Sequence, residues 1–228
     1  MHRNVSRLRP KEEVMESIRK AGLIAILRRI PPEVLEDVAR VLVRGGLRIC
    51  EVTWDDDRSP EVLSRAISAT GGQVVWGMGT VTEARQVDRA CEAGASFIVT
   101  PVMVPEVIEA CVRRGVLSII GAFSPTEICT AWRTGADLIK VFPARALGPS
   151  YFSELRGPFP QVPLVAVGGV SSDNAAAFLR AGAWAVAAGS KLVPRELVAR
   201  RDWEALCATV RRFVEAVREV RDCCCPSQ

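Results

Sequence analysis

The chain has 228 residues, 49% hydrophobic and 25% charged, with a formal net charge of +4. That composition suits a globular protein with a full core, and so small a charge gives no reason to expect nucleic acid or a membrane surface as partner. One histidine (His2) and four lysines (Lys11, Lys20, Lys140 and Lys191) disfavour a Ser-His-Asp triad and a histidine-held metal site.

The segment Met1 to Lys11 is basic and polar and lacks the apolar stretch of a secretion signal. Pro10–Ala21 reads as an N-terminal helix. From Leu23 onward, short β-branched apolar runs alternate with longer amphipathic segments. The runs are Leu23–Leu27, Arg48–Thr53, Gln73–Trp76, Phe97–Val99, Leu117–Ile120, Asp137–Phe142, Pro163–Val167 and Trp184–Ala188. In the first intervening segment, Pro32–Arg44, Leu35, Val38, Val41 and Leu42 share one face, and Gly45 supplies the stop. The helix ends rhyme along the chain, at Arg44-Gly45-Gly46, Ala93-Gly94, Arg114-Gly115, Thr134-Gly135 and Ala181-Gly182.

About eight strand–helix units of roughly twenty residues each predict a (β/α)8 TIM barrel. An open doubly wound sheet is the alternative, disfavoured because no Gly-rich dinucleotide turn follows the first run. Asp202–Arg221 reads as the closing helix. One domain is expected over residues 1–222, followed by a disordered Cys-rich tail at 223–228. Cys50, Cys91, Cys111 and Cys129 lie in apolar-periodic stretches, as buried thiols do. Cys225 stands fourth from the end, but Pro226 is not the aliphatic residue that prenylation needs. No apolar run is long enough to cross a bilayer, and a cytoplasmic location is expected.

Two charges interrupt strands that should be apolar. In Leu138-Ile139-Lys140-Val141-Phe142, alternation sets Leu138, Lys140 and Phe142 on one face. In Ile49-Cys50-Glu51-Val52-Thr53, it sets Glu51 with Ile49 and Thr53. A lysine in apolar surroundings drops below its ordinary pKa of about 10.4 and becomes a neutral amine able to attack a ketone. A carboxylate beside it can move the protons that imine chemistry requires. A buried ion pair between the two is the structural alternative, and position does not separate the readings. Arg28 ends the first strand, where it could receive an anion. Gly168-Gly169 and Gly189-Ser190 follow the seventh and eighth strands, where many barrels hold phosphate on backbone N–H groups. Gly77-Met78-Gly79-Thr80 ends the third run and offers a hydroxyl.

The series Ala25-Ile26-Leu27-Arg28, Glu51-Val52-Thr53, Gly77-Met78-Gly79-Thr80, Thr100-Pro101, Ile139-Lys140-Val141-Phe142-Pro143, Gly148-Pro149, Gly157-Pro158-Phe159-Pro160, Val167-Gly168-Gly169-Val170 and Gly189-Ser190 resembles the 2-keto-3-deoxy-6-phosphogluconate aldolase family. That family also contains the 4-hydroxy-2-oxoglutarate and 6-phosphogalactonate enzymes. The match runs from about Leu23 to Pro194.

The resemblance implies a class I aldolase, a lyase that forms a Schiff base on Lys140 with Glu51 as general acid/base. It also implies that Arg28, Thr80, Pro101 and Phe142 contact substrate, and that Gly168, Gly169, Gly189 and Ser190 hold phosphate. The products would be pyruvate and glyceraldehyde 3-phosphate, with no cofactor and no metal, in a homotrimer. Two positions depart from the gluconate pattern. Asp55 stands where an arginine is usual, and would repel a keto acid unless Arg58 or Arg28 compensates. Val167 replaces a threonine, as in the galactonate branch. Cleavage of an unphosphorylated 4-hydroxy-2-oxo acid and a non-catalytic phosphate-ligand barrel are the alternatives.

Overall fold

The computed structural model describes residues 9–224. Eight parallel strands close into a barrel in sequence order: β1 Leu23–Leu27, β2 Ile49–Thr53, β3 Val75–Gly79, β4 Phe97–Val99, β5 Leu117–Ala122, β6 Leu138–Val141, β7 Leu164–Val167 and β8 Ala185–Ala188. Closure is made by β1 against β8, with Leu23, Ile24 and Ala25 opposite Val186, Ala187 and Ala188. That pairing rules out the open sheet.

The strands carry α2 (Leu35–Arg44), α3 (Ser59–Thr70), α4 (Ala84–Glu92), α5 (Pro105–Arg114), α6 (Pro125–Thr134), α7 (Ala144–Arg156) and α8 (Ala175–Arg180) on the outside. After β8 come the short α9 (Arg195–Ala199), which periodicity does not reveal, and α10 (Trp203–Cys224). At α7, Gly148 with φ 74° and ψ 171° joins two helical pieces.

Period-two alternation divides the apolar residues into two cores. Leu27, Cys50, Val52, Trp76, Met78, Ile98, Ile120, Ile139 and Val141 point outward against the helices. Ile24, Ile26, Ile49, Val75, Phe97, Leu117, Ile119, Leu138 and Val165 point inward and fill the barrel. The expected N-terminal helix, α1 (Lys11–Ala21), belongs to this inner core, because its fully buried Val14 and Ile18 plug the barrel floor. Its first residue is anchored by a 2.9 Å ion pair from Lys11 to Asp137, whose carboxylate also accepts from the Ser118 N–H and hydroxyl.

Two inward glycines set the barrel's internal shape. A Cβ at Gly77 would collide with the Phe97 ring, and one at Gly121 with the Pro101 carbonyl and the Val102 nitrogen. Backbone cannot yield as a side-chain tip can. Gly121→Ala is therefore expected to destabilise the protein by about 3 kcal/mol. A urea midpoint unchanged from that of the unaltered protein would contradict this packing.

Three sequence expectations need correction. The third run, expected over Gln73–Trp76, is strand from Val75 to Gly79, so Gly77-Met78-Gly79 belongs to β3. The first outer helix starts at Leu35 rather than Pro32. Cys223 and Cys224, expected in an unstructured tail, are instead the last residues of α10, which is carried by the buried series Leu206, Val210, Phe213, Val217 and Val220. His2 and the rest of the tail, residues 225–228, lie outside the described residues. Cys50, Cys91, Cys111 and Cys207 are free and buried, and burial pushes the Cys111 thiol up to about 12. Among the described residues no helix is long and apolar enough to cross a membrane, and no cluster of His, Cys, Asp or Glu could hold a metal.

Candidate active site

Lys140 and Glu51 both point into the barrel near its C-terminal end. Lys140 sits on β6 between Gly121 and Val165 in register, and Glu51 on β2 between Ile26 and Gly77. Their exposures are 5% and 3%. Gly79 leaves the space that the Glu51 carboxyl occupies, since a Cβ there would overlap Oε1. The two side chains line one small internal void together with Ile26, Val99, Ile119 and Val165.

No ion pair or hydrogen bond joins them, so the simple buried salt bridge is not formed. The Lys140 Nζ instead stands 5.0 Å from the centre of the Phe142 ring. Burial pushes the lysine pKa down, opposed by the charge of Glu51 and reinforced by Arg28. Burial pushes Glu51 up to about 7, against the attraction of Lys140 and Arg28. Desolvation thus dominates at both groups and shifts each toward its neutral form.

Above Lys140 opens a cleft of about 470 Å3. Arg28, Lys140, Phe142, Gly168, Gly169, Gly189 and Ser190 all line it, so seven of the sequence-predicted residues converge on one space. Glu51 lies beneath, reached through Lys140 and Ile26, which border both spaces. Thr80 and Pro101 do not line the cleft. Thr80 instead has a left-handed φ of 60°, which is costly for a β-branched residue. Pro101 packs its carbonyl over Gly121, the register neighbour of Lys140.

At the cleft's outer end, Gly168 and Gly169 take φ 97° and 75°. The Arg145 N–H donates to the Gly168 carbonyl at 3.0 Å, and the Asn174 side-chain amide donates to the Gly169 carbonyl at 3.0 Å. The N–H groups of Gly169, Val170, Ser190 and Lys191 meet no acceptor among the described residues. Four donors with no internal partner beside one cleft can receive an anion.

The acidic run is turned away from this space. Asp55 accepts the Arg29 N–H at 2.9 Å and lies 3.0 Å from the Thr53 hydroxyl. Asp56 pairs with Arg58 at 3.1 Å, and Asp57 with Arg89 at 2.7 Å. Arg89 also stacks 5.2 Å over Trp54. The expected compensation of Asp55 by Arg58 or Arg28 is therefore replaced by a backbone amide and a hydroxyl. Sequence reasoning missed Arg145, Lys191 and Arg195, which line the cleft as well. Their only signal in the sequence is that each follows a strand end by a few residues.

The barrel fold agrees with what the chain is similar to. The family described as KDPG and KHG aldolase matches residues 14–209. The 2-dehydro-3-deoxy-6-phosphogalactonate aldolase of Escherichia coli is 34% identical over 201 residues, covering 87% of this chain and 98% of that protein. A solved structure described as native KDPGal has a TM-score of 0.81 at 31% identity, over 88% of this chain and 96% of that one. The KDPG aldolase of Legionella pneumophila, with pyruvate captured as a covalent carbinolamine, has a TM-score of 0.78 at 26% identity, over 90% and 97%. The chain belongs to the KDPG and KHG aldolase family and is a lyase of the aldolase type.

Proposed function

We propose that this aldolase cleaves a phosphorylated 2-keto-3-deoxy sugar acid, of the gluconate or galactonate configuration, to pyruvate and glyceraldehyde 3-phosphate, with Lys140 as nucleophile and Glu51 as proton carrier. The observation that carries the reading is a nearly buried amine, its pKa lowered by desolvation, at the floor of a cleft lined by free backbone donors, beside a carboxyl with a pKa of about 7. The carbinolamine captured in the Legionella relative supports it.

The neutral Lys140 amine adds to the C2 ketone, and the carbonyl oxygen takes a proton from the Glu51 side of the barrel to give a carbinolamine. Loss of that hydroxyl as water leaves an iminium. A base then takes the C4 hydroxyl proton, the C3–C4 bond breaks, and its electron pair moves into the iminium to form an enamine as the aldehyde departs. Protonation at C3 and return of a water release pyruvate and restore the amine. Each step moves one proton, and a carboxyl titrating near neutral pH can give and take it. Arg28 faces the substrate carboxylate in this reading, and Gly168, Gly169, Gly189 and Ser190 receive the phosphate. Pro101 supports the wall behind Lys140 by packing its carbonyl over Gly121. The same reading includes a cytoplasmic homotrimer, for which the exposed Val102 and Phe123, just beyond β4 and β5, supply apolar surface.

Reduction with borohydride in the presence of pyruvate, followed by peptide mass spectrometry, tests the proposal. A reduced pyruvyl adduct on Lys140 is expected. No adduct at any pyruvate concentration would sink Schiff-base chemistry and leave a barrel that only binds its ligand.

A further inference from the structure

Three cations in the cleft are not used by the chemistry above. Arg145 is the second residue of α7, Lys191 lies in the turn after β8, and Arg195 opens α9. All three line the same cleft as the glycine turns, and no carboxylate lines it. None of their side chains has a hydrogen-bond or ion-pair partner among the described residues. Three like charges converging without counter-charge repel one another, so the arrangement suits an anion that the protein itself does not supply.

The position of Arg145 is built into the backbone. A Cβ at Gly169 would fall 2.5 Å from the Arg145 Cβ and 2.7 Å from its Cδ. The Arg145 stem thus runs along the Cα of Gly169, over the turn whose amides lack acceptors. A backbone turn of this kind offers neutral donors, which accept a carboxylate or a phosphate alike. Added side-chain cations discriminate by charge, because a phosphate carries nearly two negative charges at neutral pH and a hydroxyl none.

We infer that Arg145, Lys191 and Arg195 form a cation clamp that sets the enzyme's specificity for substrates ending in a phosphate dianion, with Arg145 positioned by its passage over Gly169. The inference rests on the proposed function for the orientation of the substrate, with its phosphate outward from Lys140. It goes beyond the amide turns by assigning the choice between phosphorylated and unphosphorylated substrates to three side chains.

Binding of glycerol 3-phosphate, with glycerol as control, tests the clamp by calorimetry without needing turnover. The unaltered protein should bind glycerol 3-phosphate and not glycerol. Arg145→Gln should weaken binding about tenfold and the triple change Arg145→Gln, Lys191→Gln, Arg195→Gln at least about thirtyfold, as expected for lost charged hydrogen bonds. Arg145→Lys should recover part of the loss, and the salt dependence of binding should flatten in the triple variant. In steady-state cleavage, the ratio of kcat/KM for phosphorylated over unphosphorylated keto acid should fall by a similar factor, mainly through KM. A triple variant that binds glycerol 3-phosphate within about twofold of the unaltered protein overturns the inference, the amides then sufficing. Failure of the unaltered protein to bind glycerol 3-phosphate overturns it equally. A missing pyruvate adduct in the unaltered protein would instead refute the Schiff-base reading, and the binding comparison would still decide the clamp.

Discussion

Lys140→Ala is expected to lower cleavage by at least about 10^4-fold and to abolish the borohydride-trapped pyruvate adduct. No other lysine can replace it: Lys191 lines the outer cleft and is exposed, Lys20 is an exposed residue of α1, and Lys11 is bound to Asp137 on the barrel floor. Only Lys140 combines burial, an apolar wall and a neighbouring carboxyl. The alanine leaves a void inside the barrel, so Lys140→Met is the better control, since it removes the amine and nearly keeps the volume. Both should remain folded, because each removes a group that burial already penalises. Removing the amine also removes the attraction that holds Glu51 down, so its carboxyl should titrate above its present value of about 7. Turnover by Lys140→Met within about tenfold of the unaltered enzyme would end the Schiff-base assignment.

Glu51→Gln should lower kcat by roughly 10^2- to 10^4-fold while pyruvate still reaches Lys140, because the amide keeps the shape and cannot carry the proton. The same substitution has a pH signature in stability. The folded carboxyl titrates near 7, and the ordinary value for the unfolded chain is 4.5. Between those values the folded protein holds a proton that the unfolded chain has lost. Stability therefore falls as pH rises from about 4.5 to about 7, by an amount on the order of a few kcal/mol. Lys140 acts in the opposite sense: its lowered pKa leaves the folded state with fewer bound protons, so its contribution rises toward the ordinary value of 10.5. Glutamine cancels the carboxyl's contribution alone. Urea unfolding at pH 5 and pH 7.5 should show Glu51→Gln gaining on the unaltered protein at the higher pH. An equal difference at both would mean that Glu51 does not titrate in this window.

How much of this is legible before folding differs from residue to residue. The inward direction of Lys140 and Glu51 follows from strand alternation, a local property, and both lie with the inner core. Glycines after β7 and β8 identify the turns that border the cleft, and those after β7, Gly168 and Gly169, leave a local trace because they are left-handed. Strand and helix order comes from apolar periodicity, with errors at boundaries such as Val75, Leu35 and Cys224 and with the short α9 missed.

What periodicity does not carry is contact between distant segments. Closure depends on β1 meeting β8, about 160 residues away along the chain, and an open sheet would read the same locally. The absence of an ion pair between Lys140 and Glu51 is set by strand register across the barrel rather than by either segment. Asp55 looks hostile to a keto acid in the sequence, and the fold turns it onto the Arg29 amide. Arg145, Lys191 and Arg195 are three separate cations along the chain, and they share a cleft because β6, β7 and β8 end on one rim. The local hydrophobic pattern determined the elements, the inward pair and the glycine turns. Tertiary closure alone decided which charges face one another, because that depends on contacts between residues far apart in the chain.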